Sequence, residues 1–157
     1  MRVFIVRHGK AQIVSETGQD FDRPLAERGA KQAVYLADTL GRAASPPTSI
    51  VASDATRAHD TARSIASGLG KEMAIDKRLR VDEPASRVIE VIGEHGDNGA
   101  LCVVGHNPQL AQTIAVLTDG PGATEVRLRT GEAWELEIDP ERPIGSGRVI
   151  GVHRLDD

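Results

Sequence analysis

Cysteine occurs once, as Cys102, so the chain forms no internal disulfide and fits a reducing environment. Aromatic residues make up only 3%, which leaves little for stacking on bases. Basic residues are in deficit, 19 Lys and Arg against 23 Asp and Glu, for a formal net charge of -4. That balance provides no basic footprint, and nucleic acid or an anionic membrane surface is excluded as the main partner. No apolar run approaches the ~20 residues of a membrane span, and no basic segment leads into a long apolar core. The expected location is the cytoplasm. No His, Cys or Asp cluster has metal-ligand spacing, so no metal is expected. Gly145-Ser-Gly-Arg lacks the strand-to-helix context of a dinucleotide fingerprint, and no cofactor is expected.

What the chain does have is a succession of short apolar strands, each ending in polar residues. Val3 to Val6 is a β-branched and aromatic run, suited to a doubly buried strand, that delivers Arg7, His8 and Gly9 to its C-terminal tip. Ser49 to Ser53 is a second such run, with Asp54 as the expected N-cap of a helix that carries Arg57 in its first turn. Ala100 to Val104 is the most apolar run of all and ends in Gly105-His106. Asn107 and Pro108 then read as an N-cap and first helical residue, whose free N–H groups offer a place for an anion.

Between these runs lie helices. Ala30, Ala33, Val34, Ala37 and Leu40 recur at helical spacing from about Leu25 to Leu40, and Ala58, Ala62, Ile65, Ala66 and Leu69 do so after Arg57. Ala85, Val88, Ile89 and Ile92 form a third helix, followed by a turn over Glu94 to Gly99. A weak strand is expected near Met73 to Ile75, and Leu110, Ile114 and Leu117 mark a fourth helix. After Gly122 the period changes to two, predicting an antiparallel hairpin across Thr130-Gly131, from Val126 and Leu128 to Trp134, Leu136 and Ile138. Arg148 to Val152 is the expected last strand. The pattern predicts one domain over residues 1–157, a three-layer α/β/α fold with a mostly parallel central sheet and an antiparallel C-terminal hairpin. A chain of 157 residues is long enough to bury about 68 to 70% of its unfolded surface.

Ligands in such sheets bind beyond the carboxyl ends of the strands. Neighbouring strands there would gather Arg7, His8, Arg57 and His106 into one pocket. Two guanidinium forks suit a dianionic phosphoryl group. A clamp alone has little need of two histidines, so one imidazole is expected to attack phosphorus. Adjacent cations would keep it unprotonated. The arginines and the second histidine would stabilise the charge on the equatorial oxygens.

Arg7-His8-Gly9, the stretch from Ser53 through Arg57 to Thr61-Ala62, and Gly105-His106 resemble the three signature segments of the histidine phosphatase superfamily, which includes phosphoglycerate mutases. Pro24-Leu-Ala-Glu-Arg-Gly29 with Gln32-Ala33 is similar to its helix-opening pattern. The resemblance implies a phosphoglycerate mutase-like fold, with His8 as the phosphorylated nucleophile, Arg7 and Arg57 clamping the phosphoryl group, and His106 supporting the transferring oxygens. The short chain, Asp22-Arg23-Pro24-Leu25 and Val103-Val-Gly-His-Asn-Pro108 are most similar to the SixA-like phosphohistidine phosphatases. A protein phosphohistidine is accordingly the expected substrate. The alternatives are a small phosphate ester, as in a broad phosphomonoesterase, or binding without catalysis in a phosphate-recognition module.

The proton donor does not match the family pattern. Glu83 lies in about the right place without the surrounding motif, and Asp22 in the long loop is its rival. An imidazole leaving group needs less help from an acid than an alkoxide does. Arg23 is a candidate third phosphate contact. Gly9 is expected to let a bound group approach the backbone closely, and Cys102 to be a small core residue.

Overall fold

The computed structural model describes residues 1–96 and 98–157. In chain order the elements are β1 (Arg2–Arg7), α1 (Glu27–Gly41), β2 (Pro47–Ala52), α2 (Thr56–Leu69), β3 (Met73–Ile75), α3 (Ala85–His95), β4 (Ala100–Gly105), α4 (Gln109–Asp119), β5 (Ala133–Glu137) and β6 (Arg148–His153). The strands form one sheet in the order β3-β2-β4-β1-β5-β6. The first four are mutually parallel, while β5 runs antiparallel to both β1 and β6.

The two most apolar runs, β1 and β4, lie side by side at the centre, with Val3 opposite Leu101 and Arg7 opposite Gly105. Alternate side chains of these strands face opposite layers, as the strand period requires. Val3, Ile5, Leu101 and Val103 pack with Val88 and Ile92 of α3 and Leu110 and Ile114 of α4. Phe4, Val6, Cys102 and Val104 pack with Leu36 and Leu40 of α1 and Ala58, Ala62 and Ile65 of α2. This is the expected α/β/α sandwich, with Cys102 in its core. Because both faces of β1 are covered, the strand is held rigidly and its tip is a fixed platform.

The C-terminal antiparallel hairpin is present, but between β5 and β6. Residues 126–128 alternate like a strand yet pair with none. The Leu128 carbonyl instead accepts from the side chains of Arg7 at 3.2 Å and Asn107 at 2.8 Å, contacts a sheet ladder would exclude. The loop after β1 contains a 3₁₀ helix at Asp20–Asp22. α3 runs to His95, into the segment expected as a turn, and Asp97 of that turn lies outside the described residues. Among the described residues no helix is long and apolar enough to cross a membrane.

Two expected caps differ. Ala55, not Asp54, precedes α2, because the Asp54 carboxylate accepts from Nε and Nη2 of Arg80 at 2.9 and 2.6 Å. An ion pair with two hydrogen bonds outweighs one capping bond. α4 starts at Gln109, and the N–H groups of Leu110 and Ala111 are engaged by His106 O and Asn107 Oδ1. These two N–H groups are therefore not open to the anion expected at the start of this helix.

Candidate active site

Each candidate side chain is placed by backbone that follows a central strand. Arg7 ends β1, with its N–H donating to Glu132 O, and His8 follows with its N–H on Gly105 O. The N–H of Ser53 donates to Val104 O, which brings the end of β2 level with the end of β4. Gly131 closes the other flank, its N–H shared between the carbonyls of Arg7 and His8.

Two further contacts lock the Arg7-His8-Gly9 turn. The Gly9 N–H donates to Thr61 Oγ1 at 3.0 Å, and that hydroxyl donates on to Arg57 O at 2.7 Å. The Lys10 N–H donates to Gln32 Oε1 at 2.9 Å, while Gln32 Nε2 donates to Thr130 O. The closeness that Gly9 permits is used by the protein itself. A Cβ on Gly9 would lie 2.6 Å from the Gly29 carbonyl oxygen, and one on Gly29 would lie 2.1 Å from the Lys10 oxygen. Backbone at the start of α1, rather than a bound group, occupies that side of the turn.

His8 is buried, and its Nδ1 lies 2.7 Å from the Gly9 carbonyl oxygen. A carbonyl only accepts, so Nδ1 carries the proton and Nε2 holds the lone pair. Arg57 Nε–H donates to that Nε2 at 3.3 Å. Burial is the main reason the His8 pKa is pushed down to about 3; the Gly9 bond opposes the shift, and His106, Arg57 and Arg7 add to it. The imidazole is therefore neutral near pH 7 with its nucleophilic nitrogen unprotonated.

His106 faces His8 with ring centroids 5.3 Å apart. It is 1% exposed, and its Nε2 lies 3.0 Å from Ser53 Oγ, which also accepts from the Ala55 N–H. Where the Ser53 hydroxyl donates to Nε2, Nδ1 bears the ring proton, and Nδ1 is buried without a partner among the described residues. Burial, then Arg57 and Arg7, lower its pKa to about 4 against opposing contributions from Asp20 and Asp54.

Arg57 is 3% exposed, and Arg7 Nε is buried without a partner among the described residues. Burial and the neighbouring Arg57 charge lower the Arg7 pKa. Two guanidinium groups that feel each other's charge, with Arg7 Nε and His106 Nδ1 buried without partners among the described residues, form a cationic cluster suited to an anion. The structure thus brings together Arg7 and His8 from the end of β1, His106 from the end of β4, and Arg57 from α2, the helix that follows β2.

The loop candidates are engaged by other partners. The Asp22 carboxylate accepts from Thr17 Oγ1 at 2.6 Å, on an exposed part of the loop. Glu83 faces Arg87 at 3.7 Å on the outside of α3. Arg23 donates to Asp20 Oδ1 and Gln12 O. The carboxylate that does reach the cluster is Asp20, which had no sequence signal beyond an acidic loop. Its Oδ2 lies 3.1 Å from Arg57 Nη2, and its carbonyl accepts from Nη1 at 2.8 Å. Burial opposes it, yet Arg57 and Arg23 hold the Asp20 carboxyl below its ordinary pKa. Ser53, Thr61 and Gln32, which orient the set, all stood in segments that resemble the family or flank them. Among the described residues no group of His, Cys, Asp and Glu is placed to hold a metal ion.

The sequence and the fold both have relatives among known proteins. Residues 3–81 match the model of the histidine phosphatase superfamily (branch 1). A probable phosphoglycerate mutase GpmB of Enterobacter sp. (strain 638) is 41% identical over 86 residues, covering 51% of this chain and 37% of that protein. A glucosyl-3-phosphoglycerate phosphatase of Mycobacterium tuberculosis (strain CDC 1551 / Oshkosh) is 37% identical over 81 residues, covering 50% of this chain and 35% of that protein. The match thus spans little more than a third of the length of these relatives. In three dimensions the chain is similar to the protein histidine phosphatase SixA complexed with tungstate, with a TM-score of 0.84 at 22% identity over 98% of this chain and 97% of that one. That likeness concerns the fold, whereas the family-model match spans the turn bearing His8 and the helix bearing Arg57; the chain belongs to the histidine phosphatase superfamily.

Proposed function

We propose that this enzyme hydrolyses a phosphoryl group through a covalent phosphohistidine on His8, and that its substrate is a protein phosphohistidine. The observation that carries the reading is the fixed tautomer of His8. The Gly9 carbonyl holds the proton on Nδ1, so Nε2 keeps its lone pair, which accepts a 3.3 Å hydrogen bond from Arg57 Nε and would be released to phosphorus as that guanidinium turns to the phosphoryl oxygens. Arg7 and Arg57 would hold the phosphoryl oxygens, and His106 Nδ1–H would donate to one of them.

The chemistry balances without an external acid. A phosphoryl imidazole that has taken a proton from solvent on its other ring nitrogen leaves as a neutral ring. His8 Nε2 forms its bond to phosphorus as the substrate's P–N bond breaks, and that electron pair departs with the leaving ring. Water then attacks the phosphoryl group, the His8–P bond breaks, and dihydrogen phosphate and neutral His8 remain. Neither Glu83 nor Asp22 is required in this sequence, which accords with their engagement by Arg87 and Thr17. An alkyl phosphate would need the missing donor, a loss of typically about 10²- to 10⁴-fold.

The test is a panel of phosphohistidine proteins and small phosphate esters assayed with wild type and His8→Ala, together with trapping of the phosphoenzyme. The expected result is a phosphoenzyme in wild type, faster turnover of phosphohistidine than of alkyl phosphates, and no turnover in the variant. Activity that survives in His8→Ala overturns the nucleophile. A faster rate on alkyl phosphates makes the enzyme a general phosphomonoesterase, and phosphate binding without a phosphoenzyme makes it a recognition module.

A further inference from the structure

Beside the cationic cluster lies a cleft of about 410 Å³ whose wall includes Arg57. Arg57 belongs to both places, so a group bonded to a phosphoryl held by Arg57 has this cleft next to it. Asp20 and Phe21 form one part of the wall, and Arg80, Val81 and Asp82 another.

Its most unusual member is Phe21. The chain has two phenylalanines, of which Phe4 is fully buried in the core and Phe21 is 42% exposed. The Phe21 ring is not stranded on a bare surface. The Arg80 guanidinium carbon lies 5.6 Å from its centroid, within cation–π range. Arg80 is itself fixed, with Nε and Nη2 held by Asp54 and its carbonyl accepting from Gln109 Nε2. The two side chains therefore present a preorganised flat surface.

The hydrogen-bonding groups of the wall narrow the occupant. Arg80 gives Nε and Nη2 to Asp54, and Arg57 gives one N–H each from Nε, Nη1 and Nη2 to His8 and Asp20, while Asp20 is paired with Arg57 and Arg23. Asp82 is the wall carboxylate with no hydrogen-bond partner among the described residues. A planar ring with a single N–H needs an aromatic face and one acceptor, both of which are present.

We infer that the cleft is a leaving-group subsite, in which the imidazole ring of a phosphohistidine lies against Phe21 and Arg80 and donates its remote N–H to Asp82. This rests on the phosphatase reading above and deepens it, because it assigns substrate preference to residues outside the histidine and arginine set. The ring nitrogen that must carry a proton for the P–N bond to break is the one Asp82 receives. Asp82 is then a specificity residue for protonated nitrogen rings, and Phe21 one for planar leaving groups in general.

The test compares Phe21→Leu, Phe21→Tyr and Asp82→Asn with wild type on three substrates: phosphohistidine, p-nitrophenyl phosphate and glycerol 3-phosphate. Phe21→Leu is expected to lower the kcat/KM ratio of each ring substrate to glycerol 3-phosphate about fivefold, the scale of one aromatic contact, and Phe21→Tyr to restore it. Asp82→Asn is expected to lower the ratio of phosphohistidine to p-nitrophenyl phosphate. Equal loss on all three substrates in Phe21→Leu, or unchanged ratios in both Phe21→Leu and Asp82→Asn, overturns the subsite. A wild type that turns over none of the three overturns the phosphatase reading itself, which separates the two failures.

Discussion

Asp20 sits on Arg57: its carboxylate accepts from Nη2 at 3.1 Å and its carbonyl from Nη1 at 2.8 Å, while Nε of the same guanidinium donates to His8. The loop after β1 thereby places an anion of its own on the donors a phosphoryl group would take. A phosphoryl group on those donors would displace that carboxylate, whose side chain is far more exposed than the arginine it covers.

Removing the competing charge should strengthen anion binding. Asp20→Asn is expected to lower the dissociation constant for tungstate or orthophosphate about two- to fivefold, the range for a partly exposed ion pair. Calorimetric titration of both proteins measures this, and weaker binding in the variant would show that Asp20 orients Arg57 rather than competing for it.

The two buried histidines make folding sensitive to mild acid. Their pKa values in the folded protein, about 3 for His8 and about 4 for His106, lie below the ordinary 6.5. Between those limits the unfolded chain binds more protons, so stability falls as pH drops below about 6.5, by roughly 1.4 kcal/mol per unit for each histidine. Carboxylates held low by arginines, Asp20 and Asp54 among them, add their loss only nearer pH 4. Urea midpoints measured from pH 7 to 4.5 should decline steadily, and His8→Gln should remove about half of that slope. A flat series in wild type would contradict the buried neutral state of these rings.

Gly29→Ala tests the backbone contact behind the active-site turn. The new methyl would meet the Lys10 carbonyl oxygen at 2.1 Å, where neither partner is a flexible side chain. The cost should be about 1–3 kcal/mol, with a lowered Tm and weaker anion binding as the turn shifts. An unchanged Tm would mean that α1 moves away freely.

Thr61→Val keeps the side-chain shape but removes both hydrogen bonds of the hydroxyl. The Gly9 N–H then has no partner in a buried place. A loss of about 1–3 kcal/mol in chemical denaturation is expected, with kcat reduced more than KM is raised. Thr61→Ser should recover most of both, and failure to do so would assign the loss to packing.

The parts legible in the sequence are those that local chemistry dictates. Val3–Val6 and Ala100–Val104 are too apolar for any place but a doubly covered strand, and that placement fixes where Arg7, His8 and His106 emerge. What escaped the sequence depends on partners distant along the chain. Asp54 has the chemistry of a helix cap, but Arg80 takes its carboxylate. Asp20 and Asp22 are alike on paper, and only the 3₁₀ turn directs the first to Arg57 and the second to Thr17. Val126 and Leu128 alternate as in a strand, yet Arg7 and Asn107 bind the Leu128 carbonyl.

The central position of β1 has a consequence for how the chain matures. Its parallel neighbour begins at Ala100 and its antiparallel neighbour at Ala133, so β1 has no partner until about a hundred further residues have been made. At ribosomal rates of about 5–20 residues per second, Val3 to Val6 would wait roughly 5 to 20 s as an exposed sticky segment. Nascent chains stalled before residue 100 should therefore be clients for chaperones and lack any phosphate affinity, which would appear abruptly once β4 clears the exit tunnel.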